Sequence, residues 1–171
     1  MPELQRLRLD HGPALLAFEK ENRAYFAASI PDRGDDYFAR FDERHTALLA
    51  EQAAGVCHFH VLVDNGGRVV GRVNLIDVVD RSADLGYRIA NSAAGQGLAT
   101  QAVHQVCTLA STEYGLTTLR AATTLDNAAS QAVLTRTGFV PVGETVLDGR
   151  PGLQYERHLE PTAHAALDSD I

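Results

Sequence analysis

Residues 84–100 constrain the chain more than any other stretch: Asp-Leu-Gly-Tyr-Arg-Ile-Ala-Asn-Ser-Ala-Ala-Gly-Gln-Gly-Leu-Ala-Thr. Leu85, Tyr87 and Ile89 alternate as a strand, a small-residue turn carries Gly95 and Gly97, and a helical pattern begins at Leu98. A strand running through a glycine turn into a helix leaves unpaired main-chain N–H groups at the positive end of the helix dipole. Such donors suit a phosphate or diphosphate, and glycine lets the main chain come close to it. A plain helix-entry turn would have the same spacing. A P-loop would need a lysine after the second glycine, and a dinucleotide turn a third glycine where Thr100 stands; neither is present.

Elements of the expected sheet surround this unit. Residues 3–9 alternate as a first strand, Asp10 offers an N-cap, and Pro13 falls in the first turn of a helix over 11–29. Pro31-Asp32-Arg33-Gly34 breaks that helix, and Asp35 or Asp36 caps a second one to about Gly55. Strands over 57–63 and 69–79 flank the hairpin turn Asp64-Asn65-Gly66-Gly67, and a third runs to Ile89. The helix from Gly97 to Tyr114 has two apolar stripes, one through Leu98, Ala102 and Val106, the other through Ala99, Val103 and Cys107, a face wide enough to bury on a sheet. A strand over 119–124, a helix from Asn127 to Thr137 and strands over 139–147 and 153–159 follow. This order predicts one α/β domain over 1–160, a mixed sheet with helices on both faces, and a frayed tail over 161–171.

Charge and composition narrow the partners. Twenty-two acidic against fifteen basic residues give a net charge of −7, and Lys20 is the only lysine. That balance argues against nucleic acid, which calls for basic patches, and is compatible with a cationic amine. No apolar run is long enough for a membrane span, and no basic-then-apolar leader opens the chain, so a cytoplasmic location is expected. Cys57 and Cys107 read as buried small side chains rather than a disulfide framework. His58 and His60 share a strand face without a third ligand at suggestive spacing, so a structural or pocket role is expected and no metal.

A second stretch makes the reading specific. Asn127-Ala128-Ala129-Ser130, then Val133-Leu134, then Gly138-Phe139, follows a strand, in the right order after Gly95-Gln96-Gly97-Leu98-Ala99. Together these resemble the acyl-CoA loop and the Asn-x-x-Ser…Gly-Phe segment of the Gcn5-related N-acetyltransferase (GNAT) superfamily. Asp84-Leu85-Gly86-Tyr87-Arg88-Ile89 resembles the preceding strand in its ribosomal-protein N-terminal acetyltransferase (RimJ/RimL-like) branch. Ser92 and Ala94 depart from the family loop, which often carries basic or amide side chains there. The resemblance runs from the first strand to Leu159.

It implies a largely antiparallel central sheet with a splayed strand pair that admits acyl-CoA. The pantetheine arm would pair with the main chain of Tyr87, Arg88 and Ile89. The diphosphate would rest on Gly95, Gln96, Gly97, Leu98, Ala99 and Thr100, and Asn127 would bind the cofactor or simply cap its helix. Acetyl-CoA is then the co-substrate, attack by the amine is direct, and Ser130 is the candidate to protonate the leaving thiolate. Leu134 stands where many relatives have tyrosine. The base is open among Asp77, Asp84, Glu144 and Glu156, with Glu144 favoured.

The helices over 11–29 and 36–55 and the hairpin 147–153 would wall the acceptor. Their Glu19, Glu21, Asp35, Asp36 and Glu43, with Tyr25, Phe26, Tyr37 and Phe38, suit an amine. The expected function is N-acetylation of a protein N-terminus. The alternatives are a small amine such as an antibiotic, polyamine or amino acid, or a non-catalytic acyl-CoA-binding module; family analogy allows a homodimer.

Overall fold

The structure is a computed structural model and describes residues 1–160; the expected tail over 161–171 lies outside the described residues. In chain order it contains β1 (Glu3–Arg6), α1 (Gly12–Glu21), α2 (Arg23–Ala27), α3 (Asp35–Ala39), α4 (Phe41–Ala53), β2 (His58–Val63), β3 (Val69–Val79) and β4 (Ser82–Ile89). There follow α5 (Leu98–Thr112), β5 (Thr118–Thr124), α6 (Ala128–Arg136), β6 (Val140–Leu147) and β7 (Arg150–His158). Seven strands form one sheet in the order β1-β2-β3-β4-β5-β7-β6. Every neighbouring pair is antiparallel except β4 and β5. This is the mixed, largely antiparallel α/β sheet that the resemblance implies.

The parallel pair decides where a site can be. β4 and β5 are in register only over Ser82–Asp84 and Thr118–Arg120. Beyond that the strands part, so Leu85–Ile89 pair with β3 on one side and leave their other main-chain edge open. Arg120 holds the joined end, donating from Nε to Asp84 at 2.9 Å and from Nη1 to Ser82 at 2.8 Å.

Strand alternation sends side chains into two cores. Val73, Leu75, Leu85 and Leu119 pack with Val103, Val106 and Cys107 of α5 and Leu134 of α6. On the opposite face Phe59 and Val61 pack with Leu15, Phe18 and Phe26 of α1 and α2 and Phe41 of α4. His60 belongs to the first side: its Nδ1 meets the Val73 carbonyl at 3.0 Å and its Nε2 the Tyr114 hydroxyl at 2.6 Å. Burial pushes its imidazole down to about 4. His58 stacks on Tyr114 with centroids 3.8 Å apart, so both histidines are structural. Among the described residues no three His, Cys, Asp or Glu side chains form a metal-binding group, and no helix is long and apolar enough to cross a membrane. Cys57 and Cys107 are both free and buried, and burial pushes both thiols up.

Several expected boundaries are corrected. The helix expected over 11–29 is broken at Asn22, which leaves helical geometry at φ −104° and ψ 8°. Its side chain offers the main chain an alternative partner: Nδ2 donates to the Phe18 carbonyl, and Oδ1 accepts from the Asn91 N–H, both at 2.9 Å. The helix expected over 36–55 likewise breaks at Arg40 (φ −111°, ψ 26°). Asp10 does not cap α1; it pairs with Arg8, and His11 holds the N-cap position. Gly34 precedes α3, which puts Asp35 and Asp36 inside its first turn, where the helix dipole favours them. Strand β1 ends at Arg6, and strand β2 begins at His58, one residue after Cys57.

Candidate active site

The parted strands open a cleft of about 950 Å³ that passes through the plane of the sheet. Its lining includes Leu85–Ile89 of β4, Ala121–Thr124 of β5, the glycine turn, and Asn127 and Ser130 of α6. Tyr25, Phe26, Arg33 and Arg72 line it too, and the Arg88 side chain of β4 reaches toward them, lying over the Phe26 ring. Leu147, Asp148 and Arg150 of the β6–β7 hairpin close one end, with Arg150 paired to Asp126.

The glycine turn has the geometry that phosphate binding requires. Gly95 and Gly97 have φ of +76° and +75°, the left-handed region that side chains resist. Gly97 is the residue before α5, and a Cβ built on either glycine would meet nothing within 4 Å. Among the described residues, the N–H groups from Gly95 to Thr100 have no acceptor within the protein. Gly95, Gly97, Leu98, Ala99 and Thr100 line the cleft, and the Gln96 side chain does not.

Asn127 caps α6, its Oδ1 accepting the Ser130 N–H at 3.1 Å. The capping oxygen is therefore used, and the amide Nδ2 remains for a ligand. The Ser130 hydroxyl lies 3.0 Å from the Tyr87 hydroxyl across the cleft. Sequence reading gives Tyr87 a strand position and a main-chain role only, and misses this pairing, since the two residues are 43 positions apart. Burial raises the Tyr87 phenol above its ordinary value, and the bond to Ser130 offsets that only in part. Tyr87 therefore holds its proton at neutral pH and can lend it to Ser130.

None of the expected bases is brought to this point. Glu144 is exposed on β6, the edge strand, with β7 and β5 between it and the gap. Asp84 is taken by Arg120, and neither Asp77 nor Glu156 lines the cleft. Asp148, exposed at the hairpin, is the only carboxylate among the lining residues.

The expected acidic acceptor wall is also reversed. Glu19 is 1% exposed and accepts from Arg72 Nη1 at 2.9 Å, Arg33 Nε at 3.0 Å and Arg88 Nη1 at 3.2 Å. Burial pushes its carboxyl up, but Arg72, Arg33 and Arg88 together outweigh burial and hold it below its ordinary value. Asp35 is held by Arg23, Asp36 by Arg40 and Glu21 by Arg68. Arginines, not carboxylates, face the cleft here.

The chain matches the model of an Acetyltransferase (GNAT) domain over residues 3–140. No curated sequence matches it. Among solved structures it is similar to a ribosomal-protein-S5-alanine acetyltransferase from Vibrio fischeri, with a TM-score of 0.88, 19% identity and 93% of each chain covered. It is similar also to Mycobacterium smegmatis RimJ in complex with CoA-disulfide, with a TM-score of 0.81, 24% identity, and 98% of this chain and 88% of that one covered. A spermidine N-acetyltransferase from Vibrio cholerae superposes with a TM-score of 0.73 at 17% identity, covering 91% of this chain and 94% of that one. At such identities the likeness carries the fold and leaves the acceptor open.

Proposed function

The chain belongs to the GNAT acetyltransferase family, and from that premise we propose that it is an acetyl-CoA-dependent N-acetyltransferase whose acceptor is a primary amine, in the first place a protein N-terminal α-amine. The observation that carries the reading is the free N–H row from Gly95 to Thr100 beside a strand edge that has no partner. Both fit acyl-CoA: donors for a diphosphate, and main chain for the pantetheine amides. Acetyl-CoA supplies an acyl group activated as a thioester.

Each step is then assigned to this chain's own groups. The amides of Gly95, Gln96, Gly97, Leu98, Ala99 and Thr100 hold the phosphates with no help from lysine. Tyr87, Arg88 and Ile89 offer main-chain groups along the open edge, and Asn127 offers Nδ2. Ser130 Oγ gives a proton to the departing sulfur and is resupplied by the Tyr87 phenol, 3.0 Å away. Because the strand carboxylates stand away from the gap, the acceptor's proton leaves through water in the open cleft. The N-terminal reading draws support from the ribosomal-protein-S5-alanine acetyltransferase that shares the fold at a TM-score of 0.88. A spermidine acetyltransferase shares it too, which keeps a small amine as the second reading.

Release of free CoA thiol from acetyl-CoA, measured across N-terminal peptides and small amines, tests both readings. Turnover with peptides is expected; turnover with small amines and none with peptides would remove the first reading. Ser130→Ala is expected to lower turnover about 100-fold while calorimetric affinity for acetyl-CoA stays within about threefold. Unchanged turnover would move the proton donor elsewhere.

A further inference from the structure

The arginine wall carries more charge than its own fold requires. Arg33, Arg72 and Arg88 gather on the single carboxylate of Glu19, so three positive charges stand against one negative, an excess of two. Neighbouring acids do not supply the balance: Asp32 and Asp35 are held by Arg23, and Asp36 by Arg40. The remaining contacts are aromatic and add no carboxylate: Arg72 reaches the Tyr37 hydroxyl at 3.3 Å, Arg33 lies 4.7 Å over the Tyr37 ring and Arg88 4.9 Å over the Phe26 ring.

Like charges held this close in a half-buried place are costly unless something else shares them. Arg88 registers that cost: burial first and then Arg33 lower its pKa, Glu19 opposes them only in part, and Arg72 lowers it further. Arg72 is sealed at 5% exposure, but Arg88 and Arg33 keep 17% and 26% and line the cleft. A guanidinium has five N–H donors in a planar fork that matches carboxylate and phosphate. Arg88 gives Glu19 only an Nη1 contact, and Arg33 only its Nε, so donors on both remain for a second anion.

A second observation lies two residues along the same strand. Asn74 lines the cleft, and its Oδ1 is buried with no hydrogen-bond partner among the described residues. It is opposite Gly86 in the β3–β4 register, as Arg72 is opposite Arg88, so these four positions share one sheet face. At Gly86 a Cβ would meet nothing within 4 Å, which leaves space in front of the amide oxygen. A buried orphan carbonyl calls for an N–H donor, and an acceptor amine is one. Asn74 stands two positions from Arg72 along β3, and Gly86 two positions from Arg88 along β4, a backbone spacing of about 7 Å.

We propose that the acceptor is an amine carrying its own carboxylate, with the amine N–H donated to Asn74 Oδ1 and the anion held by Arg33 and Arg88. The anion could come from an acidic residue close to a protein N-terminus or from a small amino acid. A polyamine is disfavoured by the same charge. The proposal rests on the acetyl-transfer reading above, and deepens it by naming the acceptor class.

Matched pairs test it in the thiol-release assay: Ala-Glu against Ala-Gln, both C-terminally amidated, and free alanine against alaninamide, with spermidine as the cationic arm. The acidic member of at least one pair is expected to have kcat/KM about tenfold or more above its neutral partner. The pair that shows the difference identifies the source. Arg33→Gln is expected to bring that ratio toward one by raising KM for the acidic member, and Arg33→Lys to keep part of it. Asn74→Ala should lower kcat/KM for both members and leave their ratio. Equal use of the pairs, or preference for spermidine, would overturn the proposal while leaving acetyl transfer standing. If no amine is turned over, calorimetry with the same pairs decides: tighter binding of the acidic member upholds the anion site and removes the transferase reading, and equal binding removes the site.

Discussion

The two walls of the cleft present charge by different means. On the α5–α6 side Arg136, at the far end of α6, is the one charged side chain of these helices among the lining residues. Main-chain amides from Gly95 to Thr100 stand free, and the side chains of Asn127, Ser130 and Tyr87 are neutral. On the α1–α2 side guanidinium groups gathered on a buried carboxylate supply the charge. The first arrangement depends on φ angles and is insensitive to the side chains nearby. The second depends on a desolvated ion cluster that fails if its shared carboxylate, Glu19, is lost. A molecule that must hold the same co-substrate every cycle, but suit one acceptor, gains from keeping the two apart.

The contrast can be broken most forcefully at Glu19. Glu19→Ala leaves three buried or half-buried arginines without their common partner and is expected to cost about 3–5 kcal/mol in urea unfolding. The wild-type carboxyl is held below its ordinary value of 4.5. Its contribution is therefore complete above that pH and lost as pH falls through the depressed value; the variant should lack this part of the acid dependence. A loss under about 1 kcal/mol would mean that the arginines hold together without it. A smaller effect is expected across the cleft. Gly97→Ala forces a side chain into a left-handed residue at about 1–2 kcal/mol of stability. It also puts a methyl into the open space before the amides, so acetyl-CoA affinity should fall about tenfold by calorimetry. Retained affinity in the folded variant would take the diphosphate away from this turn. The smallest effect is expected from Glu144→Gln, on neither wall, where kcat should change by less than about twofold. A large loss there would mean that β6 reaches the gap in the working enzyme.

How much was legible follows the same division. The glycine turn is a matter of local spacing, so Gly95, Gly97 and the start of α5 can be read from residues a few positions apart. The hairpin at Asp64–Gly67 and the left-handed Gly138 after α6 are local in the same way. The breaks at Asn22 and Arg40 were hidden because apolar periodicity continues across them, and only side-chain bonding to a distant turn shows why the first occurs. The arginine wall draws on α1, the loop before α3, β3 and β4, with Glu19 and Arg88 separated by 69 positions. Acidic residues counted along α1 and α3 therefore suggested the wrong sign. Glu144 misled for a related reason: its strand follows α6 in sequence, yet the chain places β7 between it and β5.

Asn22 has a consequence for how such a molecule can change its acceptor. One amide group ends α1 through the Phe18 carbonyl and fastens Asn91, four residues before the first glycine of the phosphate turn. It works as a rivet between the part that selects and the part that grips. Residues on either side of it can be exchanged, and acceptor preference can drift, while the nucleotide seat stays in alignment. Removing the rivet would let the two parts shift against each other, so new specificities are most accessible through Arg33 and its loop, and least through position 22.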